Sequence, residues 1–165
     1  MSSISVLILM GSDSDAPVMQ AAVDVLREFD VPCEMTVASA HRSPERVMRL
    51  VSEAPGRGVK LFIVGAGAAA HLGGVVAAHT TMPVIGVPID SSALKGMDAL
   101  LSTVQMPPGV PVATVSIGKP GATNAGVLAV QMLALGDPSL ADRLTQYKKK
   151  LADKVEQAAA KLQQG

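Results

Sequence analysis

The stretch "ISVLILMGSDSDAPVM", residues 4 to 19, contains the change of pattern that decides the fold class. Its first part, residues 4–10, is an apolar run, typical of a strand buried on both faces of a parallel sheet. A glycine, two serines and two aspartates follow, and an amphipathic segment begins near residue 16. The stretch therefore predicts a strand, a tight turn and a helix in direct succession.

The same alternation continues along the chain. Short apolar or β-branched runs occupy residues 4–10, 33–38, 59–65, 83–88 and 110–117. Amphipathic segments lie near residues 16–29, 44–57, 69–80 and 122–135. Strands that are apolar on both faces and separated by helices indicate a parallel sheet covered on both sides. We predict an α/β fold with three layers and a central parallel sheet of about five strands.

The length of the chain predicts a single domain, residues 1–165, that buries roughly two-thirds of its unfolded surface. From Pro138 onward the sequence is charged on one side, with leucines and a valine at helical or near-helical intervals. This pattern predicts one long C-terminal helix, from about residue 138 to 164. We expect that helix to pack on its own domain or on a neighbouring subunit.

Composition narrows the classes of partner. Lysines plus arginines equal aspartates plus glutamates at 14 each, so no charge excess favours nucleic acid or an anionic membrane. A small-molecule ligand is expected instead. The single cysteine, Cys33, is incompatible with an intramolecular disulfide or a multi-cysteine metal site, and it is interpreted as a buried structural thiol. With no signal-peptide pattern or apolar spanning segment, the sequence predicts a soluble cytoplasmic protein.

The core must be built from small side chains, because aromatic residues make up only 2% of the chain. The mean hydropathy of +0.36 also makes burial in an oligomer plausible.

Ligands of open parallel sheets bind beyond the carboxyl ends of the strands, so each loop at that edge is a candidate site. After the first strand, residues 11–15 offer backbone N–H groups and two hydroxyls at a helix start, which suits a phosphate. An aspartate there is better matched to sugar hydroxyls. The alternative is that Ser14 or Asp15 only caps the helix.

The loop after the second strand, "SAHRSPER", covers residues 39–46. Ser43 and Pro44 predict a helix start, which puts His41 and Arg42 just ahead of it. A cation at that end opposes the helix dipole, so Arg42 is predicted to bind an anion. His41 is the residue of the loop that can give and take a proton near neutral pH. The alternative is a loop histidine with no catalytic role.

The loop after the third strand, "GAGAAAHLGG", covers residues 65–74. It fails the dinucleotide fingerprint, since Ala70 stands where the third glycine belongs. Its small residues allow close approach of a ligand to the backbone and leave room for a small apolar species. His71 is predicted to lie inside a helix, where a structural hydrogen bond is favoured over catalysis. His79 is predicted to be a helix-surface residue.

The segment after the fourth strand predicts a helical crossover at residues 90–103, with Ser91 or Ser92 near its start. This crossover is expected either to cover the site or to form a subunit contact.

Five motifs in order resemble the class I N5-carboxyaminoimidazole ribonucleotide mutases of purine biosynthesis, over about residues 4–147. They are "GSDSD", "SAHRSP", "GAGAAAHLGG", "LLSTVQMPPGVPVATVSIG" and "TNAGVLA". The resemblance implies a flavodoxin-like fold, no metal or organic cofactor, and a homo-octamer with active sites at subunit contacts. It also implies a decarboxylation and recarboxylation that move a carboxylate from an exocyclic nitrogen to ring carbon 4.

The resemblance also implies roles for individual residues. His41 matches the catalytic acid and base, and Arg42, aided by Ser39, matches the phosphate-binding position. Ser12 and Asp15 match ligand-binding positions of the first loop, with Asp15 toward the ribose. The predicted substrate-binding set is completed by Gly11, Ser14, Ala66, Gly67, Ala68, His71 and Leu72.

Three positions depart from the family pattern. Ala16 replaces a bulky residue, usually tryptophan, Ala68 replaces a usual glycine, and Gly73 replaces a usual proline. These departures are expected to affect the wall beside the first loop and the shape of a carbon dioxide pocket.

Two other functions compete with the mutase. The second class of the family carboxylates aminoimidazole ribonucleotide with free carbon dioxide, but it tends to carry "SAHKT" and a third loop with serine and asparagine. The other alternative is a non-catalytic nucleotide-binding or receiver-like module, because one fold hosts many functions. That module predicts ligand binding without turnover.

Overall fold

The structure is a computed structural model that describes residues 3–163. Its centre is a sheet of five parallel strands in the order β2-β1-β3-β4-β5. The strands are β1 (Val6–Met10), β2 (Cys33–Val37), β3 (Leu61–Gly67), β4 (Val84–Ile89) and β5 (Ala113–Thr114). This is the flavodoxin-like order, in which the chain reverses direction between β1 and β3. The predicted α/β fold with a five-stranded parallel sheet is confirmed.

Helices connect and follow the strands. They are α1 (Ala16–Glu28), α2 (Pro44–Glu53), α3 (Leu72–Ala78), α4 (Met97–Val104), α5 (Gly118–Ala134) and α6 (Pro138–Gln163). Short 3-10 turns precede α1 (Asp13–Asp15) and follow α2 (Pro55–Arg57). The helix predicted near residues 69–80 is shorter, since residues 68–71 form a loop and the helix ends at Ala78. The predicted crossover at 90–103 becomes helical only at Met97, after a turn with left-handed backbone at Lys95 and Gly96.

The last strand is much shorter than the eight residues expected. Only Ala113 and Thr114 pair with β4, although Val115 still donates a backbone hydrogen bond to Gly86 at 3.0 Å. Pro111 has no N–H to contribute to a ladder, which limits pairing at the start of this run.

The core of the sheet combines the expected small residues with larger aliphatic side chains and one phenylalanine. All five residues of β1 are buried, and Phe62 and Ile63 of the neighbouring β3 are fully buried. Gly65 lies so close to Met19 of α1 that a Cβ built on the glycine would stand 2.4 Å from the methionine Sδ. The absence of a side chain at Gly65 therefore allows α1 to approach the sheet.

Cys33 lies in β2 and is half-buried rather than fully buried as expected. Burial raises the pKa of the Cys33 thiol, and the charge of Arg27 opposes that rise. A thiol that stays protonated is a poor nucleophile, which supports the structural interpretation.

The chain forms two compact units, one up to Ala129 and one from Val130 onward. The second unit contains α6, which confirms the predicted long C-terminal helix. Leu140 of α6 is buried, whereas Val155 and Leu162 are 67% and 85% exposed. Within residues 3–163, no helix is both long enough and apolar enough to cross a membrane.

Candidate active site

The loops after β1, β2 and β3 meet in a pocket of about 200 Å³ at the carboxyl edge of the sheet. This pocket contains ten of the twelve site residues predicted from the sequence. Its lining consists of Gly11, Ser12, Ser14, Asp15, Ser39, Ala40, His41, Arg42, Ala66, Gly67, Ala69, Leu72 and Ser91. Ala68 and His71 are not lining residues, although they belong to the same third loop.

Ser12 and Asp15 cap the short turn before α1 and also line the pocket. The Ser12 hydroxyl oxygen accepts from the Ser14 amide at 3.3 Å, and Asp15 Oδ2 accepts from the Ser12 amide at 3.2 Å. The Ser14 hydroxyl donates to that of Ser12 at 2.8 Å. Capping and ligand binding are therefore not exclusive here, because the same bonds that cap the turn orient its hydroxyls at the pocket.

Asp15 is the buried carboxylate of the site, with 5% of its surface exposed. Burial raises the pKa of Asp15, while the bond from the Ser12 amide and the charge of Arg42 lower it. The Ser12 amide occupies one carboxylate oxygen, which leaves the other as an acceptor for a ligand hydroxyl. Asp15 is thus arranged to receive a hydrogen bond.

Arg42 is tethered between the first and second loops. Its Nη2 donates to the Gly11 carbonyl at 2.9 Å, and its Nε donates to the Ser39 hydroxyl at 3.4 Å. Within the described residues no carboxylate lies at ion-pair distance from Arg42. A guanidinium has five N–H donors. The three that remain can bind an exposed anion such as a phosphate.

His41 faces a second imidazole. Its Nε2 lies 2.8 Å from Nδ1 of His71, and the two rings meet edge to face with centroids 4.9 Å apart. In this contact one ring nitrogen donates and the other accepts, so the tautomers of the two rings are coupled. Both side chains are exposed enough to reach a ligand.

The structure corrects the expected position of His71. The sequence placed it inside a helix, but it is the residue before α3, and its ring reaches the predicted catalytic histidine across the pocket edge. A hydrogen bond was expected, and the structure identifies its partner as His41. His79 follows α3, is exposed and contacts the carbonyl of Val75 at 2.8 Å, which confirms its surface position.

The third loop has a backbone that alanine rarely adopts. Ala68 has φ +51°, in the left-handed region that favours glycine, so the alanine is strained at a position where the family usually has glycine. At Gly73 a Cβ would make ordinary contact with Val112 at 3.6 Å, so a side chain fits there. Ala16, the third departure, is the half-buried first residue of α1.

The structure adds Ala40, Ala69 and Ser91 to the predicted site. Ser91 lies directly against Gly67, where an added Cβ would stand 1.8 Å from its hydroxyl oxygen. Ser92 instead donates to Asp98 Oδ2 at 2.7 Å. Ser91 follows the carboxyl end of β4, so the rule that located the other loops also indicates it. The sequence left the choice between the two serines open.

No cluster of three histidine, cysteine, aspartate or glutamate side chains within residues 3–163 is arranged to hold a metal ion. The charged and polar side chains that line the pocket are one arginine, one carboxylate, four serines and His41, whose ring contacts His71 beside the pocket.

Comparison with known proteins gives close relatives over nearly the whole sequence. Residues 5–154 match the family model AIRC, described as AIR carboxylase. A Pyrococcus horikoshii protein named N5-carboxyaminoimidazole ribonucleotide mutase is 51% identical over 157 residues, which cover 95% of this chain and 88% of that protein. A Candida glabrata protein named phosphoribosylaminoimidazole carboxylase is 53% identical over 156 residues, covering 94% of this chain but 27% of that longer protein.

A solved structure shares the fold over nearly the whole chain. The crystal structure of Treponema denticola PurE superposes with a TM-score of 0.86 at 30% sequence identity, covering 95% of this chain and 97% of that one.

Proposed function

This chain belongs to the AIR carboxylase family, and from that premise we propose that it is an N5-carboxyaminoimidazole ribonucleotide mutase of purine biosynthesis. It isomerises its substrate to 4-carboxy-5-aminoimidazole ribonucleotide. One observation carries the proposal: a single pocket combines a proton carrier, a guanidinium with three uncommitted N–H donors and a buried carboxylate with a wall of small residues. Relatives with the mutase name match nearly the whole chain at about half identity.

The pocket matches the polar groups of a ribonucleotide. Arg42 binds the phosphate through its three remaining N–H groups, aided by the hydroxyls of Ser12, Ser14 and Ser39. Asp15 accepts a hydrogen bond from the ribose. These contacts hold the imidazole ring beside His41, so that chemistry takes place at a fixed position.

His41 carries the proton through both halves of the reaction. In the first half, the imidazolium protonates the exocyclic nitrogen, the nitrogen–carboxyl bond breaks, and its electron pair stays on that nitrogen. Bound aminoimidazole ribonucleotide and carbon dioxide result. In the second half, ring carbon 4 attacks carbon dioxide, and neutral His41 removes the proton from that carbon. Protons and electrons balance over the two halves, because the proton that His41 gives in the first half is replaced by the one that it removes in the second.

The third loop holds the carbon dioxide between the two halves. Ala66, Gly67 and Ala69 line the pocket with small side chains, and Leu72 adds an apolar surface. A dry pocket prevents hydration of the gas, which would end the transfer.

The rival reaction is carboxylation of aminoimidazole ribonucleotide by free carbon dioxide. Purified chain is given either N5-carboxyaminoimidazole ribonucleotide without bicarbonate or aminoimidazole ribonucleotide with saturating bicarbonate. The mutase predicts efficient product formation from the first substrate. Turnover of the second substrate alone would establish the carboxylase, and nucleotide binding without either reaction would establish a non-catalytic module.

We further propose that residues 1–165 act as one mutase domain that assembles as a homo-octamer in the cytoplasm. The family match continues across the boundary of the two compact units, which supports a single functional domain. Half-exposed Met97, Leu101 and Val104 of α4 supply apolar surface for assembly. Light scattering tests the octamer, whose mass is about eight times the 16.9 kDa of one chain. A monomer mass would contradict it.

A further inference from the structure

The loop between β3 and α3 has a conformation that it does not stabilise alone. Ala68 adopts the left-handed region, and the His71 amide donates to the Ala69 carbonyl at 2.8 Å, two residues back. Unfavourable backbone of this kind persists when the surrounding structure holds it. The loop therefore needs a contact from outside.

Ser102 of α4 supplies that contact. Its hydroxyl oxygen accepts from the Ala70 amide at 3.0 Å and lies 3.4 Å from the Ala68 carbonyl. The same oxygen lies 2.8 Å from the carbonyl of Asp98, one turn earlier in α4. A hydroxyl has one hydrogen, so donation to Asp98 leaves a lone pair for the Ala70 amide. Ala70 is 1% exposed, so this acceptor is not readily replaced by solvent.

We propose that Ser102 is a positioning residue that holds the third loop closed and sets where His71 meets His41. Ala70 is bonded directly to His71, whose ring lies 2.8 Å from that of His41. On the other side of Ala70, Ala69 lines the pocket. One hydroxyl on α4 thus fixes both the small-residue wall and the second imidazole. Its effect on catalysis rests on the proposed mutase function.

Thr103, the next residue of α4, offers a matched control. Its hydroxyl donates to the Ala99 carbonyl of its own helix at 2.7 Å, and the residue is buried. Thr103→Val removes this hydroxyl while keeping the shape of the side chain. Ser102→Ala removes a hydroxyl that also reaches the loop, and Ser102→Thr restores it.

Peptide-resolved hydrogen exchange tests the contact without reference to function. In Ser102→Ala, exchange in the segment 66–72 should accelerate on the order of tenfold, the effect of losing one buried hydrogen bond. The Ser102→Thr and Thr103→Val proteins should exchange like the wild type in this segment. Equal exchange in Ser102→Ala and Thr103→Val would overturn the contact.

The positioning role of Ser102 is tested by kcat and by the partition of turnovers between isomer formation and release of the intermediates. In Ser102→Ala, kcat should fall on the order of 10- to 100-fold, and a larger fraction of turnovers should release aminoimidazole ribonucleotide and carbon dioxide. KM should change little, because Arg42 and Asp15 belong to other loops. A purely stabilising role would lower Tm without changing the partition. A partition and kcat equal to those of Thr103→Val would therefore overturn the positioning role, and Ser102→Thr should restore both.

The two measurements separate this inference from the proposed function. Faster exchange in Ser102→Ala, together with a wild-type protein that produces no isomer, would support the contact and contradict the mutase.

Discussion

Arg42→Lys tests how the pocket holds a phosphate. Arg42 uses one N–H on Gly11 and one on Ser39, which leaves three for a ligand in a planar arrangement. Lysine keeps the charge but cannot form the paired bonds that a guanidinium makes to a phosphate. The loss of one charge-assisted hydrogen bond, about 1.5–3 kcal/mol, corresponds to roughly a 10- to 150-fold weaker complex.

Isothermal titration of the Arg42→Lys protein with the product nucleotide measures this loss, and steady-state KM provides a second value. The matched control is Arg49→Lys, because Arg49 is an exposed residue of the adjacent helix α2 outside the pocket. The dephosphorylated nucleoside should bind the Arg42→Lys and Arg49→Lys proteins equally weakly. Wild-type nucleotide affinity in Arg42→Lys would refute the assignment of Arg42 to the phosphate.

Three further substitutions have distinct expected outcomes. His41→Asn should abolish turnover while nucleotide affinity by titration stays within a few-fold of wild type, with His79→Asn as an active control; substantial turnover in His41→Asn contradicts its role. Burial raises the pKa of Asp15, so its ionised form destabilises the fold at neutral pH. Asp15→Asn should therefore unfold at higher denaturant at pH 7 and bind nucleotide more weakly. That stability gain should vanish as the pH falls below the ordinary carboxyl pKa of 3.8, where Asp15 is protonated in both states, and a gain that persists there argues against burial as its cause. Gly65→Ala should lower the free energy of unfolding by about 1–3 kcal/mol, because its Cβ meets the buried Met19. Gly56→Ala, which meets nothing within 4 Å, should change little in the same urea titration, and equal effects would contradict the packing argument.

The sheet could be predicted because its strands are buried on both faces. Continuous apolar runs such as residues 4–10 separate clearly from the amphipathic helices that follow them. The rule that ligands bind at the carboxyl edge then located three loops and most residues of the pocket. The sequence prediction is wrong at the ends of elements. The periodicity predicts a longer last strand and an earlier start of α4, but Pro111 limits the strand and a turn precedes Met97.

The contact between the His41 and His71 rings could not be predicted from the periodicity of the sequence. It depends on Ala68 adopting a left-handed backbone, which an alanine gives no reason to expect. It also depends on Ser102, 32 residues from Ala70 along the chain. Likewise, the choice of Ser91 over Ser92 at the pocket follows from the close approach to Gly67, a tertiary contact.

In the proposed reaction, one pocket releases and recaptures the same carboxylate. Conversion of N5-carboxyaminoimidazole ribonucleotide is followed in the presence of ¹³C-labelled bicarbonate and carbonic anhydrase, with the label in the product measured by mass spectrometry. The mutase predicts rapid formation of unlabelled 4-carboxy-5-aminoimidazole ribonucleotide. Label entering the product at the isotopic level of the solution would contradict direct transfer and make the protein a carboxylase.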